Sequence, residues 1–275
     1  MSITSNLKTH IARATGKYFN YFTSNSYKFL SNDYNNPVDM DIYTVAFNNE
    51  RTIEYQIKLF AKFVRGTYRF IVCDNSSDND IAQKIQNICE SNNISYFRLN
   101  QHIKISPSMS HGLALNWIYY NIVKERKNNF CFIDHDLFPI KEFNINDFMT
   151  DKFYGLLKER ENGKLWYIWP GYIFFNFNFI NSYNGVSFAT CKRCDTGGQN
   201  YHVIYKNFDK NAIKFAKSKT VKILPDENVK ENVPQLCTID YFDDCWLHTI
   251  AASGWVDIST KNKLVSQKLE ELLNN

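Results

Sequence analysis

Four short apolar runs, three of them ending in a polar cluster, punctuate the first half of the chain: Ile42–Phe47, Tyr68–Cys73, Ile94–Leu99 and Phe130–Asp134. All four read as strands, and the last, an uninterrupted apolar run after a helical pattern and bounded by Pro139, as a buried parallel strand. The segments between them have helical period. Ile53, Ile57, Phe60, Ala61 and Val64 recur at the i, i+4, i+7, i+8 spacing of an amphipathic helix over Thr52–Val64. Asp74-Asn75-Ser76-Ser77-Asp78 is rich in cap formers and predicts a helix from about Asn79 to Ser91. A third helix is expected from about Ser108 to Lys124, after a loop through Pro107. Strands alternating with helices at this rhythm make βαβ units and a parallel sheet. The expected fold class is α/β, a Rossmann-like, mostly parallel central sheet flanked by helices.

After Asp136 the rhythm changes to aromatic strands and Gly-containing turns, with a final helix around Val265–Leu273. Residues 1–38 read as an N-terminal extension, helical and then loop-like through Ser31–Pro37. No repeat, low-complexity tract or composition shift marks a linker. Residues 39–275 are therefore expected to form one domain, with a regular front half (39–140) and an elaborated back half (141–275).

Composition narrows the function classes. Of 275 residues, 44% are hydrophobic and 22% charged, ordinary for a globular protein with a substantial core. A net charge of +4 fits an anionic substrate and falls short of the basic stripe of a nucleic-acid binder. The seven cysteines, an odd number with no apolar signal segment ahead of them, suggest free thiols in a reducing, cytoplasmic compartment. Cys191-Lys192-Arg193-Cys194 has the spacing of half a zinc knuckle, but Cys237 and Cys245 do not complete it. The most apolar stretch, Trp166–Ile180, is interrupted by Pro170, Gly171, Asn176 and Asn178 and is too short to span a membrane. Ile3–Leu30 mixes Lys and Arg with Tyr, Phe and Leu at helical spacing. It could make peripheral membrane contact or dock on a partner, although packing on its own domain explains it as well.

The chemistry concentrates at strand ends. Asn48-Asn49-Glu50 follows the first strand, Asp74-Asn75-Ser76-Ser77 the second and Asp134-His135-Asp136 the fourth. The C-termini of parallel strands share one edge, so these loops converge on one crevice, where open α/β sheets bind ligands. An isolated Asp-x-Asp is most often a solvated turn; three converging polar loops point to a shared ligand site. Carboxylate oxygens suit Mg²⁺ or Mn²⁺, and those ions suit a diphosphate.

On these motifs the chain resembles the GT-A-fold glycosyltransferases, most closely the family-2-like group, from about Asp41 to Trp255. The likeness rests on Thr44–Glu50 as a first nucleotide loop, Ile71–Ser77 as a second, and His111-Gly112-Leu113-Ala114-Leu115-Asn116 ahead of the Asp-x-Asp. The resemblance implies a GT-A fold and a UDP- or GDP-sugar donor. In it Ala46, Phe47, Asn48 and Glu50 cradle the base, Asp74 contacts base or ribose, and Asn75, His111, Gly112, Asn116 and His135 complete the donor site. It further implies that Asp136 ligates a divalent metal, Mn²⁺ or Mg²⁺, and that Asp134 faces the ribose or sugar or joins as a metal ligand. The back half then serves the acceptor, which could be a glycan, a lipid or a protein. No Gly-rich P-loop and no Gly-x-Gly-x-x-Gly follows the first strand, so kinase and dehydrogenase readings lose support.

Three later segments fit the same scheme. Trp169–Asn176 resembles the acceptor side of the pocket, with Trp169 and Gly171 toward a sugar; an aromatic core strand accounts for it equally. Cys194-Asp195-Thr196-Gly197-Gly198-Gln199 resembles an Asp-Thr-Gly-Gly element, whose glycines Gly197 and Gly198 would let backbone approach a ligand. Asp195 is the first choice of general base for an inverting transfer. The stretch Tyr241–Trp255 aligns in two ways. Read as His-x-x-x-x-Ser-x-Trp it makes His248 a metal ligand and favours Mn²⁺. Read as an acidic pair before a helix it makes Asp243 or Asp244 the base. The competing functions are a sugar nucleotidyltransferase, disfavoured by a first loop without glycine, and an inactive GT-A domain that binds carbohydrate or scaffolds.

Overall fold

The computed structural model describes residues 25–100, 106–191, 194–223, 237–249 and 259–275, together with Ala14. Its frame is a seven-stranded mixed sheet in the order β1-β5-β4-β2-β6-β10-β9. The strands are β1 (Asn25–Phe29), β2 (Met40–Ala46), β4 (Tyr68–Asp74), β5 (Ser95–Leu99), β6 (Asn129–Asp134), β9 (Phe153–Arg160) and β10 (Leu165–Phe175). A two-residue pair, β3 (Val64–Arg65) with β8 (Phe143–Asn144), lies apart from it.

The four strands read from the front half pair in parallel, β5 with β4, β4 with β2 and β2 with β6. The remaining three pairings, β1 with β5, β6 with β10 and β10 with β9, are antiparallel. The mostly parallel expectation therefore holds for the centre and fails at both margins. β1 also corrects the expectation of a wholly helical-then-loop extension. Its backbone satisfies the open edge of β5, a row of donors and acceptors that folded proteins cover. Residues 1–24, invoked above for membrane contact, lie outside the described residues apart from Ala14.

Helices α1 (Glu50–Phe63), α2 (Asn79–Ser91) and α3 (Pro107–Ile118) cross over between the parallel strands. Each begins at a side-chain cap. Asn49 accepts from Thr52 N, Asp78 from Asp80 and Ile81 N, and Ser106 from Met109 N, ahead of Pro107. Past Ile118, α3 widens into a π-turn over Tyr119–Val123 and ends in one turn at Lys124–Arg126. Alternate residues of β2 divide the core. Met40 and Ile42 join Ile53, Ile57, Phe60 and Ile85 of α1 and α2, while Tyr43 and Val45 join Leu113, Trp117 and Ile118 of α3.

The back half adds a four-stranded antiparallel sheet, β11 (Ser218–Lys222), β12 (Thr238–Phe242), β13 (Trp246–His248) and β7 (Leu137–Pro139). Its apolar side packs with α4 (Ser259–Asn274) through Phe138, Ile239, Leu247, Val265 and Leu269. Among the described residues no helix is long and apolar enough to cross a membrane.

Candidate functional site

From β2 the chain goes to β4 and β5 on one side, then returns to place β6 on the other side of β2. The strand order reverses between β2 and β6, and loops leaving the two C-termini diverge to open a crevice there. Val45 pairs with Asp134 at this edge. The crevice has a volume of about 250 Å³. Its lining includes Phe47, Asn75 and His111, the turn residues Asp134, His135 and Asp136, and Trp169, Asp195, Thr196 and His248.

Backbone restraints aim the Asp-x-Asp. Gln56, wholly buried on α1, donates from Nε2 to the carbonyls of Asp134 (2.8 Å) and Leu137 (2.9 Å), which staples the turn. His135 accepts the Phe47 N–H at Nδ1 (3.1 Å), tying the β6 turn to the first loop. Burial pushes the His135 pKa down, as suits a neutral acceptor. Asp136 is held by Thr249, whose N–H reaches its carbonyl (3.0 Å) and whose hydroxyl reaches Oδ2 (3.4 Å).

His248 arrives on β13, antiparallel to β7, with Nε2 3.3 Å from Asp136 Oδ1. One donor atom each from Asp134, Asp136 and His248 lies within 4.8 Å of the others. The group fits a divalent cation on its own chemistry, two hard carboxylates and one borderline imidazole. Among the described residues, the buried Asp134 Oδ1 has no hydrogen bond and lies 3.5 Å from His111 Nε2. Burial raises the Asp134 pKa, with Asp136 adding to the shift and His111 opposing it. A bound cation would invert that balance and keep the carboxylate ionised. The alignment of His248 as a ligand therefore has a geometric counterpart.

Several other expected residues stand elsewhere. Asp74 is fully buried and committed, accepting from Ser76 N (2.8 Å) and Tyr96 Oη (2.8 Å) and facing Arg98 at 3.4 Å. Its neighbour Asn75 lines the crevice instead. Asn48, with φ +47°, accepts from Ser77 N and Asp78 N and so joins the first two loops. Ala46 is buried, and its carbonyl accepts the Asn75 N–H. Glu50 faces Lys84 at 3.6 Å on the outside of α1. Asn116 accepts the Phe188 N–H (2.7 Å) beneath the site.

The glycines serve packing. A Cβ on Gly171 would fall 2.2 Å from the Trp169 ring, one on Gly197 2.6 Å from Pro170, and one on Gly198 2.2 Å from Cys194. A Cβ on Gly112 would fall 2.7 Å from the Phe188 carbonyl oxygen. Gly171 thus lets the Trp169 indole lie across the strand, where it meets His248 at 5.0 Å between ring centroids. Asp243 and Asp244 form the β12–β13 hairpin turn, both at positive φ. Asp243 takes the hydroxyls of Tyr154 and Tyr172 and the Lys217 N–H, away from the crevice. Asp195 does line the crevice. Its Oδ1 accepts from Thr196 N (2.8 Å), and among the described residues no hydrogen bond reaches Oδ2. The Cys191 and Cys194 side chains hydrogen-bond to each other and lie outside the metal-competent group.

Gln56, Thr196, Lys158 and Asp240 went unread in the sequence. Thr196 is buried and donates from Oγ1 to the Ser108 carbonyl (2.9 Å), joining the Asp195 loop to α3. Lys158 holds its ammonium 5.5 Å from the Trp169 ring centroid, and burial lowers its pKa. Only Thr196 had a local signal, its place beside Asp195. Comparison of the chain with protein-family models and with curated proteins finds no match.

Proposed function

We propose that this protein is a metal-dependent glycosyltransferase that moves a sugar, with inversion, from a nucleoside-diphospho-sugar to a glycan, lipid-linked or protein acceptor. One observation carries the reading. Asp134, Asp136 and His248 meet at the switch point of the sheet, in a crevice that Asp195 and Trp169 also line. The mixed donor set favours Mn²⁺ over Mg²⁺. When bound, the cation supplies Lewis-acid neutralisation of charge on the leaving diphosphate.

The chain's own residues account for the remainder. Phe47, Asn75 and His111 give the nucleoside an apolar wall and polar partners. Trp169 offers an aromatic face to a sugar ring. Asp195, exposed and with its Oδ2 unclaimed among the described residues, takes the proton of the acceptor hydroxyl as that oxygen bonds to the anomeric carbon. The bond from that carbon to the phosphate oxygen breaks at the same time, and its electron pair leaves with the diphosphate.

The test is calorimetric titration of UDP, GDP, CMP and dTDP into the protein, with Mn²⁺ and with a chelator. Binding of one diphosphate that disappears with the chelator is expected and names the donor base. Absence of binding by all three diphosphates removes this reading.

A further inference from the structure

The Nδ1 atom of His248 is buried and makes no hydrogen bond among the described residues, yet a carboxylate stands across the sheet from it. Asp240 is the register partner of His248 in the β12–β13 pair, and its Oδ2 lies 3.7 Å from Nδ1. Register partners in an antiparallel pair project from the same face, so sheet geometry holds these side chains together. Asp240 is fixed from its other side as well. Thr220 is its register partner on β11, and Thr220 Oγ1 donates to Asp240 Oδ1 at 2.6 Å. Three adjacent strands thus deliver Thr220, Asp240 and His248 as a row. The row ends at Asp136, 3.3 Å from the opposite imidazole nitrogen, Nε2.

An imidazole that ligates a metal through Nε2 keeps its proton on Nδ1, and that N–H needs an acceptor to fix the ring. The gap of 3.7 Å lies about 0.5 Å beyond hydrogen-bond range, so a small side-chain movement closes it. We infer that Asp240 is a positioning residue of the metal centre: it accepts from Nδ1 of His248 and presents Nε2 to a divalent cation shared with Asp134 and Asp136. Thr220 in turn orients Asp240. The inference rests on the metal reading proposed above and adds a residue that stands behind the ligands.

The experiment is calorimetric titration of Mn²⁺ alone into the full chain and into Asp240→Ala and Asp240→Asn, each also in a His248→Ala background. Asp240→Ala is expected to weaken Mn²⁺ binding by about 10–100-fold. Asp240→Asn, whose amide oxygen can still accept, should lose less. In the His248→Ala background neither change should weaken Mn²⁺ further, because no ring remains to orient; this is the coupling a double-mutant cycle reads. A merely structural role would lower affinity equally in both backgrounds, and that result overturns the inference. So does wild-type affinity in a folded Asp240→Ala. If Asp240→Ala does not fold, the isosteric Asp240→Asn and Thr220→Val decide by the same criterion. A wild-type chain that binds no Mn²⁺ overturns the metal reading and the inference together. Binding by the wild type with no effect at Asp240 overturns the inference alone.

Discussion

Burial alone would keep the His248 imidazole neutral, yet Asp136, Asp240 and Asp134 surround it and hold its pKa up at about 9. The direction sets the linkage. A group whose folded pKa is raised from 6.5 stabilises the fold fully below pH 6.5 and loses that contribution as pH rises through about 9. For a shift of this size the contribution is on the order of 3 kcal/mol. With a chelator present, wild type should therefore unfold at a higher temperature than His248→Gln at pH 6, and the two should converge towards pH 10. A difference that stays constant across this range would show that the carboxylates do not hold the proton. With Mn²⁺ present the dependence reverses, since the cation displaces the proton and its affinity climbs with pH until the imidazole is deprotonated.

At the scale of elements, α3 shows how a backbone approach places chemistry. Gly112 lets the helix close on the 188–189 segment, where a Cβ would meet the Phe188 carbonyl oxygen at 2.7 Å and Ala189 Cα at 2.9 Å. Alanine gains about 1 kcal/mol of helix propensity over glycine. Forcing backbone apart in a packed core costs about 1–3 kcal/mol, and the neighbours here are main chain with little room to yield. Gly112→Ala should therefore lower the urea midpoint while leaving Mn²⁺ affinity near wild type, because the ligands sit on β6, its turn and β13. An unchanged or raised midpoint would contradict the close approach. The sequence made α1, α2 and the parallel strands readable because period and caps are local signals. It exposed Asp134, Asp136 and His248 as candidates, the first two at a strand end and the third in a motif. It could not show which polar residues turn inward, since the partners of Asp74 and Asn116 are Tyr96, Arg98 and Phe188, distant in the chain. Asp240 was hidden for a related reason: its link to His248 is a register between strands. The crowding at the glycines was hidden in the same way, being set by Trp169, Pro170 and Cys194 in three dimensions.

Across the whole molecule the two edges of the parallel sheet divide the work. At the N-terminal edge the buried Asp41 carboxylate meets Arg69 (3.2 Å), Arg126 (2.7 Å) and Asn128 (3.0 Å). The two guanidinium groups reach on to the carbonyls of Asn36 (2.8 Å) and Tyr34 (2.9 Å), and Arg126 lies 4.2 Å from the Tyr34 ring centroid. The loop ahead of β2 is thereby anchored beneath the sheet. Val45 at the crevice stands four residues along the strand from Asp41, roughly 13 Å at the rise of a β-strand. Removing one partner from a buried ion network leaves charge without compensation and typically costs about 3–5 kcal/mol. Asp41→Ala should therefore lose stability on that scale in urea unfolding. At temperatures where it stays folded, it should bind Mn²⁺ and the selected diphosphate as wild type does. The reverse pattern, intact stability with weakened binding, would mean that strain at the anchored edge is transmitted along β2 to the crevice. The strand would then couple the two edges rather than separate them.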